Sequence, residues 1–151
     1  MVNMTTIPNA AKKLKVNKNF VPCPVETEDE LFPNGIFVFN ITKMNEYIQT
    51  HSEDIPCEEI AVSDFSNSST VNESHIDSVE VSRPVILAEI APGRYNVIDG
   101  NHRMEKARRM GIKNVTAYKL SAKQHMQFLT SEKAYIAYIE YWNDKVKQFG
   151  R

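Results

Sequence analysis

Short apolar runs alternate with segments of helical periodicity along this chain, a pattern typical of a mixed α and β domain. The runs that are rich in β-branched or aromatic residues predict strands over 35–41, 84–90, 95–98 and 114–120, with a weaker candidate in 59–65. The first run lacks polar alternation, which predicts burial on both faces. Pro92 and Gly93 separate the second run from the third and predict a hairpin turn between them.

Helical periodicity predicts a helix after the first strand, ending near His51, with Thr42 as its N-cap. A second helix is predicted from Gly100 to Met110, with Gly111 as a natural C′ residue. The expected core-facing side chains of these two helices are Met44, Tyr47, Ile48, Met104, Ala107 and Met110. The motif Ser121-Ala122-Lys123-Gln124 is a capping box, which predicts a further short helix.

A C-terminal helix is predicted over 132–148 and has an aromatic face. Its apolar positions follow helical spacing and comprise Tyr135, Tyr138, Ile139, Trp142, Val146 and Phe149. A stripe of this kind most simply faces a core, and its aromatic richness also suits a partner surface. We favour the core interpretation and keep the partner surface as the alternative.

Residues 1–34 are predicted to form an N-terminal extension, and 35–151 a single domain. Within the extension, Ala10–Val16 predicts a short basic helix, and the stretch 21–34, rich in Pro, Glu and Asp, predicts a loop. The polar residues 66–74 predict a surface loop. The expected fold class is α+β, with a small mixed sheet of about four or five strands, helices packed on it and a C-terminal helical extension.

The net charge of −1 conceals a strong internal polarity. Residues 26–81 contain thirteen acidic side chains and one basic one, whereas residues 82–151 contain thirteen basic and six acidic ones. Such a chain is not a uniformly basic nucleic-acid binder. The distribution suits a local positive site for a phosphate-bearing ligand, or two oppositely charged halves that pack together. No apolar run approaches the length of a membrane span and no secretion signal is evident, so a cytoplasmic location is expected.

The stretch 94–111 is the strongest candidate for a functional site, because a strand, a polar turn and a helix follow one another within it. A helix that begins at Gly100 leaves the amides of Gly100, Asn101 and His102 without partners in the helix, and such amides bind anions. Gly100 permits close approach of a ligand to the backbone. Arg103 adds a planar guanidinium suited to phosphate oxygens, and His102 can exchange a proton near neutral pH.

Asp99 leaves two interpretations open. It could cap the helix by accepting from the amide of Asn101 or His102, or it could turn away and hold a metal ion or a substrate hydroxyl at the end of the strand. A Mg²⁺ ion that arrives with a nucleotide needs few protein carboxylates. A structural zinc site is not expected, because the other histidines and the two cysteines show no ligand spacing.

The sequence YNVIDGNHRMEKARRMG resembles the central motif of the ParB/sulfiredoxin-like superfamily, in which a strand, a G-x-[HR]-R turn and a helix of the form R-x-x-A-x-x-x-x-G follow one another. The upstream stretch Arg83-Pro84-Val85-Ile86-Leu87 resembles the proline-initiated strand of that superfamily. The resemblance covers about residues 83–120, with 35–51 as the expected first strand and helix. It implies the fold of that superfamily and a turn that binds nucleotide phosphates.

Members of this superfamily differ at the turn. Sulfiredoxins have a catalytic cysteine where this chain has Asn101, so their chemistry is not expected. ParB partition proteins usually have G-E-R-R, bind CTP and carry a helix-turn-helix domain, for which the stretch after Leu120 is too short. The D-G-x-H-R form is more similar to nucleotide-dependent free-serine kinases, in which the Asp of the turn is functional and a Glu after the first strand is the catalytic base. This resemblance makes Asp99 and His102 catalytic candidates and Glu46 the candidate base.

The expected function is therefore nucleotide binding with phosphoryl transfer or NTP hydrolysis, using ATP, ADP or CTP with Mg²⁺ and a small-molecule acceptor. Gly100, Asn101, His102 and Arg103 would hold the phosphates, and Asp99 would contact Mg²⁺ or the acceptor hydroxyl. Two other classes remain open. One is a DNA-binding protein, weak nuclease or partition-related protein that uses the basic residues of 103–119; the other is a non-enzymatic protein-interaction module. No membrane partner is expected.

Overall fold

The computed structural model describes residues 12–34, 37–65 and 73–149. These ranges contain six strands and five α-helices, so the predicted α+β class is confirmed. In chain order the elements are β1 (Leu31–Asn34), β2 (Phe37–Asn40), α1 (Ile41–Thr50), β3 (Cys57–Ala61), α2 (Glu73–Ile76), β4 (Val85–Ala91), β5 (Arg94–Asp99), α3 (Asn101–Arg109), β6 (Asn114–Leu120), α4 (Ala122–His125) and α5 (Glu132–Phe149). Among the helices described, none has both the length and the apolar composition that crossing a bilayer requires.

A four-stranded mixed sheet in the order β3-β6-β4-β5 forms the centre of the molecule. Its central pair, β4 and β6, is parallel, and both outer pairs are antiparallel. The predicted hairpin joins β4 to β5, and Gly93 in its turn has a φ of 74°, which favours glycine. The small mixed sheet is therefore confirmed; its weakest predicted strand, placed in 59–65, runs instead over Cys57–Ala61.

Alternate residues of β4 feed two hydrophobic clusters, one on each face of the sheet. On one face Val85 and Leu87 pack with residues of α3 and β6. On the other face Ile86, Ala88 and Ile90 belong to a larger cluster that includes residues of α1, α4 and α5. All five of these side chains are buried. β4 is thus the strand that both layers of helices cover.

The strand predicted over 35–41 lies outside the central sheet. Residues 35 and 36 lie outside the described part of the chain. The predicted strand is confirmed over Phe37–Asn40, which form β2. β2 pairs with β1 in a separate antiparallel sheet of two strands. Phe37 and Val38 are only half-buried, so burial on both faces is wrong for the first half of β2. β1 also corrects the loop predicted over 21–34, because its four residues pair with β2.

The N-terminal segment 12–20 packs along α5. The indole N–H of Trp142 donates to the carbonyl of Lys12 at 2.9 Å. The amide of Asn17 donates to the hydroxyl of Tyr135 at 2.8 Å, and Phe20 stacks on the Tyr135 ring with centroids 3.9 Å apart. These contacts attach the segment to the core that α5 helps to build.

The basic helix predicted over Ala10–Val16 is wrong for its described part, since residues 12–16 have no helical structure. Residues 10 and 11 lie outside the described ranges. Backbone groups that a helix would pair internally bond to α5 instead: the amide of Leu14 donates to Oδ1 of Asn143, and its carbonyl accepts from Nδ2. The domain boundary at residue 35 stays a prediction, although Cys23 already belongs to the larger core cluster.

Helix α1 is capped by Asn40, one residue before its first turn. Oδ1 of Asn40 accepts from the amide of Lys43 at 3.0 Å. The prediction of Thr42 as the cap is therefore wrong; its hydroxyl accepts from the amide of Glu30 at 2.8 Å. The predicted end near His51 is confirmed. The capping box that opens α4 is also confirmed.

Two expectations near helices α3 and α2 are wrong, one at Met110 and one at Glu73. Met110 is 59% exposed, so its predicted core position is wrong. Since each helical residue turns by about 100°, Met110 points about 120° away from Met104 and faces solvent. Gly111, with a φ of 73°, follows the helix as predicted. Of the loop predicted over 66–74, residues 66–72 lie outside the described ranges, and Glu73 and Ser74 begin α2.

The aromatic face of α5 is a core face, as predicted. Its buried side chains are Tyr135, Tyr138, Ile139, Trp142 and Val146. The side chain of Phe149 lies outside the described residues. The stripe is therefore covered by the protein itself, which disfavours its use as a partner surface.

A buried polar contact fixes α4 and α5 to the sheet through the carbonyl of Glu89. Nε2 of His125 and the hydroxyl of Tyr138 both donate to this oxygen at 2.7 Å. The His125 ring is fully buried, and its Nδ1 has no partner among the described residues. Desolvation lowers the pKa of His125 to about 4, and the bond to Glu89 opposes that shift only in part.

Acidification should therefore destabilise the fold through His125. The folded pKa of about 4 lies below the ordinary value near 6.5, so this contribution is complete above pH 6.5 and is lost as the pH falls from 6.5 through 4. The loss should reach about 3 kcal/mol at most. Urea unfolding at a series of pH values measures it.

The matched variants are His125→Gln and His51→Gln, since His51 is exposed. The first should be less stable at pH 7 but lose less stability on acidification than the wild type. The second should keep the wild-type pH dependence. Equal pH dependence in both variants would contradict the assignment.

Candidate functional site

The turn between β5 and α3 places the candidate residues at one edge of the central sheet. β5 ends at Asp99, which lies opposite Ile86 near the start of β4. Gly100 is the N-cap of α3, with φ 104° and ψ 21°, in the left-handed region. Its carbonyl accepts from the amide of Met104 at 2.9 Å and begins the helix. The predicted succession of strand, glycine turn and helix is confirmed.

The absent side chain of Gly100 makes room for the protein itself. A Cβ atom at this position would lie 2.6 Å from Cγ1 of Val85 and 2.9 Å from Nη2 of Arg103. Both distances are well inside van der Waals contact. Glycine is therefore required here by its backbone conformation and by the close packing of α3 against β4.

Asp99 does not cap α3. No side chain among the described residues caps the helix at Gly100, and Oδ2 of Asp99 instead accepts from Nη2 of Arg103 at 3.4 Å. The capping interpretation of Asp99 is therefore wrong. In consequence the amides of Asn101 and Arg103, in the first turn, have neither an acceptor within the helix nor a side-chain cap.

The side chain of Arg103 is buried and links α3 to the end of β5 and to the residue before β4. The residue is 8% exposed, and Nη2 donates to the carbonyl of Pro84 at 3.2 Å as well as to Asp99. Its Nε atom is buried without a partner among the described residues. An unpaired buried donor costs free energy unless another group accepts from it. Arg103 is thus fixed in place and still has hydrogen-bonding capacity to offer.

A cavity of about 190 Å³ opens at this turn. The described residues that line it are mostly polar or charged: Glu30, Asn45, Val79, Arg83, Asp99, Gly100, His102 and Arg103. Pockets that enclose a whole drug-sized ligand usually exceed about 300 Å³. Its size and lining suit a phosphate group more than a complete nucleotide.

Four of the predicted site residues meet in this cavity, namely Asp99, Gly100, His102 and Arg103. The side chain of Asn101 turns back, and its Nδ2 donates to the carbonyl of Val97 at 3.5 Å. Glu46 is exposed on α1 and is not among the described lining residues, whereas its neighbour Asn45 is. The His102 ring lies 5.9 Å, centroid to centroid, from that of His75.

Sequence reasoning missed Glu30, Asn45 and Arg83, all of which line the cavity. They come from the loop before β1, from α1 and from the segment before β4, and no local pattern connects them with the turn. The one usable signal concerned Arg83. Arg83 directly precedes the predicted strand 84–90. The hairpin partner of that strand ends at the turn, so the start of the first strand had to lie beside the turn.

Glu30 is held at the cavity by its backbone. Its amide donates to the hydroxyl of Thr42, and its carbonyl accepts from the amide of Ile41, both at 2.8 Å. Desolvation and then the charge of Asp99 raise the pKa of Glu30, while Arg103 and Arg83 oppose the shift. The Glu30 carboxylate is therefore a stronger base than an ordinary glutamate.

Lys106 fixes the segment that forms the rim of the cavity. Its ammonium donates to the carbonyl of Asp77 at 2.9 Å and to that of Val79 at 3.0 Å. Val79 lines the cavity, so α3 also supports the segment that contributes this lining residue.

The remaining basic side chains of α3 also serve the protein's own structure. Arg108 donates to the carbonyl of Phe65 at 2.8 Å. Arg109 pairs with Glu73 at 2.7 Å and with Glu105 at 2.8 Å, and these hydrogen bonds raise the pKa of Arg109. The Arg109–Glu73 pair joins the acidic and basic halves of the chain, as expected if the two halves pack together.

The described residues contain no group of three or more His, Cys, Asp or Glu side chains that could hold a metal ion by itself. Among the described lining residues, Glu30 and Asp99 are the two that carry a carboxyl group. A metal ion at this site would thus need ligands from a bound molecule or from water, as Mg²⁺ often does.

Replacement of Gly100 by alanine should destabilise the protein by about 2–6 kcal/mol, because backbone strain and overpacking each cost about 1–3 kcal/mol. Gly93→Ala is the matched control. Gly93 also has a positive φ, of 74°, but a Cβ atom there would have no neighbour within 4 Å. Denaturant unfolding of both variants measures the difference. Equal losses at the two positions would show that the packing against Val85 and Arg103 is unimportant.

Comparison of the chain with protein-family models, with curated proteins and with solved structures finds no significant match. The chemistry of the cavity at the β5–α3 turn therefore carries the functional assignment.

Proposed function

We propose that the protein binds a nucleotide by its phosphates in the cavity at the β5–α3 turn and transfers or hydrolyses the terminal phosphoryl group. One observation carries the proposal: a mostly polar cavity of phosphate size lies where a helix begins at Gly100 beside a buried guanidinium. Helix N-termini and arginine guanidinium groups both bind phosphate in proteins. The proposal includes membership of the ParB/sulfiredoxin-like superfamily, which the motif of 83–120 supports.

The phosphates would be held from the α3 side of the cavity. Amides of the first turn, those of Asn101 and Arg103 among them, point out of the helix and can donate to phosphate oxygens. His102 lines the same cavity and can donate through its ring. Arg103 is already ordered by Pro84 and Asp99, so binding would cost little side-chain entropy there.

Mg²⁺ would arrive with the nucleotide and be held by its phosphates and by Asp99. The residues present fit this role, because Asp99 uses Oδ2 for Arg103 and its other carboxylate oxygen has no hydrogen bond to the described residues. The ion would supply neutralisation of the phosphate charge. Mg²⁺ prefers oxygen ligands, which the carboxylates of this cavity can provide.

Glu30 is the carboxylate that we assign to proton acceptance, in place of Glu46. The oxygen of an acceptor hydroxyl or of water forms a bond to the terminal phosphorus, and the bond from that phosphorus to the rest of the nucleotide breaks. The proton of the attacking hydroxyl or water passes to Glu30. The raised pKa of Glu30 favours that transfer. Positioning and charge stabilisation by the turn would supply most of the remaining rate enhancement.

The structure favours neither alternative class. A DNA-binding surface over 103–119 would need free basic side chains, but Lys106, Arg108 and Arg109 bond within the protein, and Lys119 lies 3.7 Å from Glu58. An interaction module that uses the aromatic face of α5 would need that face exposed, and Trp142 is 6% exposed.

Isothermal titration calorimetry with ATP, ADP and CTP, with and without Mg²⁺, tests the proposal. Wild-type protein should bind at least one of these nucleotides, and Arg103→Ala should abolish binding because it removes a fixed phosphate donor. Circular dichroism checks that the variant is folded, since the substitution also leaves Asp99 without its ion pair. Absence of binding by the wild type would overturn the proposal.

Glu30→Gln should separate binding from catalysis. Loss of a carboxylate beside the phosphates should leave nucleotide affinity unchanged or increase it, while turnover falls by roughly 10²- to 10⁴-fold. Glu28→Gln is the matched control, because Glu28 lies in the same loop and is not among the described lining residues. Turnover is followed by phosphate release or by transfer to a panel of hydroxyl acceptors. Unchanged turnover in Glu30→Gln would remove Glu30 from the mechanism.

A further inference from the structure

The cation that is available to a ligand in the cavity is not the Arg103 that the turn motif suggests. The charge of Arg103 is already balanced by Asp99, at 3.4 Å, and its side chain is buried. When this pair is set aside, Arg83 is the cation and Glu30 the anion among the described residues that line the cavity. An incoming anion can therefore take Arg83 as its counterion, in addition to the hydrogen-bond donors of the turn.

Arg83 is free to take that role. It is exposed, and its guanidinium makes no hydrogen bond or ion pair with the described residues. Its backbone is ordered on both sides: its amide donates to the carbonyl of Glu80 at 3.1 Å, and Pro84 follows at the start of β4. Lys106 holds the preceding carbonyls of Asp77 and Val79. A guanidinium on a fixed backbone can close on a ligand at modest entropic cost.

The cavity offers little to a nucleobase. Its volume of about 190 Å³ is smaller than the roughly 300–1,000 Å³ of pockets that enclose a whole drug-sized ligand. Val79 is the one apolar side chain among the described lining residues, and no Phe, Tyr or Trp occurs among them to stack on a base. The base of a bound nucleotide would then project outside the part of the site described.

We propose that the site recognises the polyphosphate itself, with Arg83 as the residue that binds its terminal phosphate, and that it discriminates little between bases. This inference rests on the proposed function and narrows its substrate class to molecules with a polyphosphate end. Monophosphates, which present less charge to Arg83, are poor ligands.

The test is calorimetry at fixed ionic strength with inorganic triphosphate, ATP, CTP and AMP as probes. Wild-type protein is expected to bind the first three with similar affinity and AMP far more weakly. Arg83→Gln should weaken inorganic triphosphate and ATP alike, by roughly ten- to a hundredfold, since a charged hydrogen-bond donor is lost. Arg83→Lys keeps the charge without the planar guanidinium, so its affinity should lie between those of the wild type and Arg83→Gln. Arg94→Gln, at an exposed arginine outside the lining, should bind as the wild type does.

Each result bears on a different part of the assignment. ATP binding without binding of inorganic triphosphate would show that the base is recognised and would overturn the inference. Wild-type affinity in Arg83→Gln would overturn it too, while nucleotide binding at the turn would stand. Failure of the wild-type protein to bind any of the four probes would overturn both this inference and the proposed function.

Discussion

The ion pair between the buried Arg103 and the partly buried Asp99 is the constraint on which the rest of the site depends. A guanidinium in the interior is tolerated only when it is paired and hydrogen-bonded. Arg103 meets this requirement through Nη2, which donates to Asp99 at the end of β5 and to the carbonyl of Pro84 before β4, while its Nε has no partner among the described residues. The same side chain would lie 2.9 Å from any Cβ atom at position 100, so the pair and the glycine are structurally linked. Helix α3 and strand β4 thus pack at a distance that only glycine at position 100 permits.

Around this pair the cavity is assembled from segments that are distant in sequence. The antiparallel register of β4 and β5 brings the residues before one strand beside the end of the other. The bonds of Glu30 to α1 bring an acidic loop to the same edge, and Lys106 fixes the rim. Each support comes from a different element, so the cavity walls are held independently of any ligand. Such preorganisation is what electrostatic catalysis requires of a site.

Local sequence patterns were enough to predict most of the fold. The strands over 84–90 and 114–120, the hairpin at Gly93, the capping box and the aromatic helix were predictable because each depends on neighbours within about a dozen residues. The N-cap at Asn40 and the exposure of Met110 were not, since both depend on where a helix begins or ends within one residue. For the site, the turn was predictable. Glu30 and Arg83 were not, because they reach the cavity only through tertiary contacts.

The contact of Trp142 with Lys12 has a practical consequence for work in solution. Trp142 is the only tryptophan of the chain, and its indole N–H is bonded to the N-terminal segment. It belongs to the hydrophobic cluster on the opposite face of the sheet from α3. Its fluorescence therefore acts as an intrinsic optical label for this part of the molecule: detachment of the segment would hydrate the indole and shift the emission to longer wavelength. Changes confined to the β5–α3 turn would leave that emission unaltered.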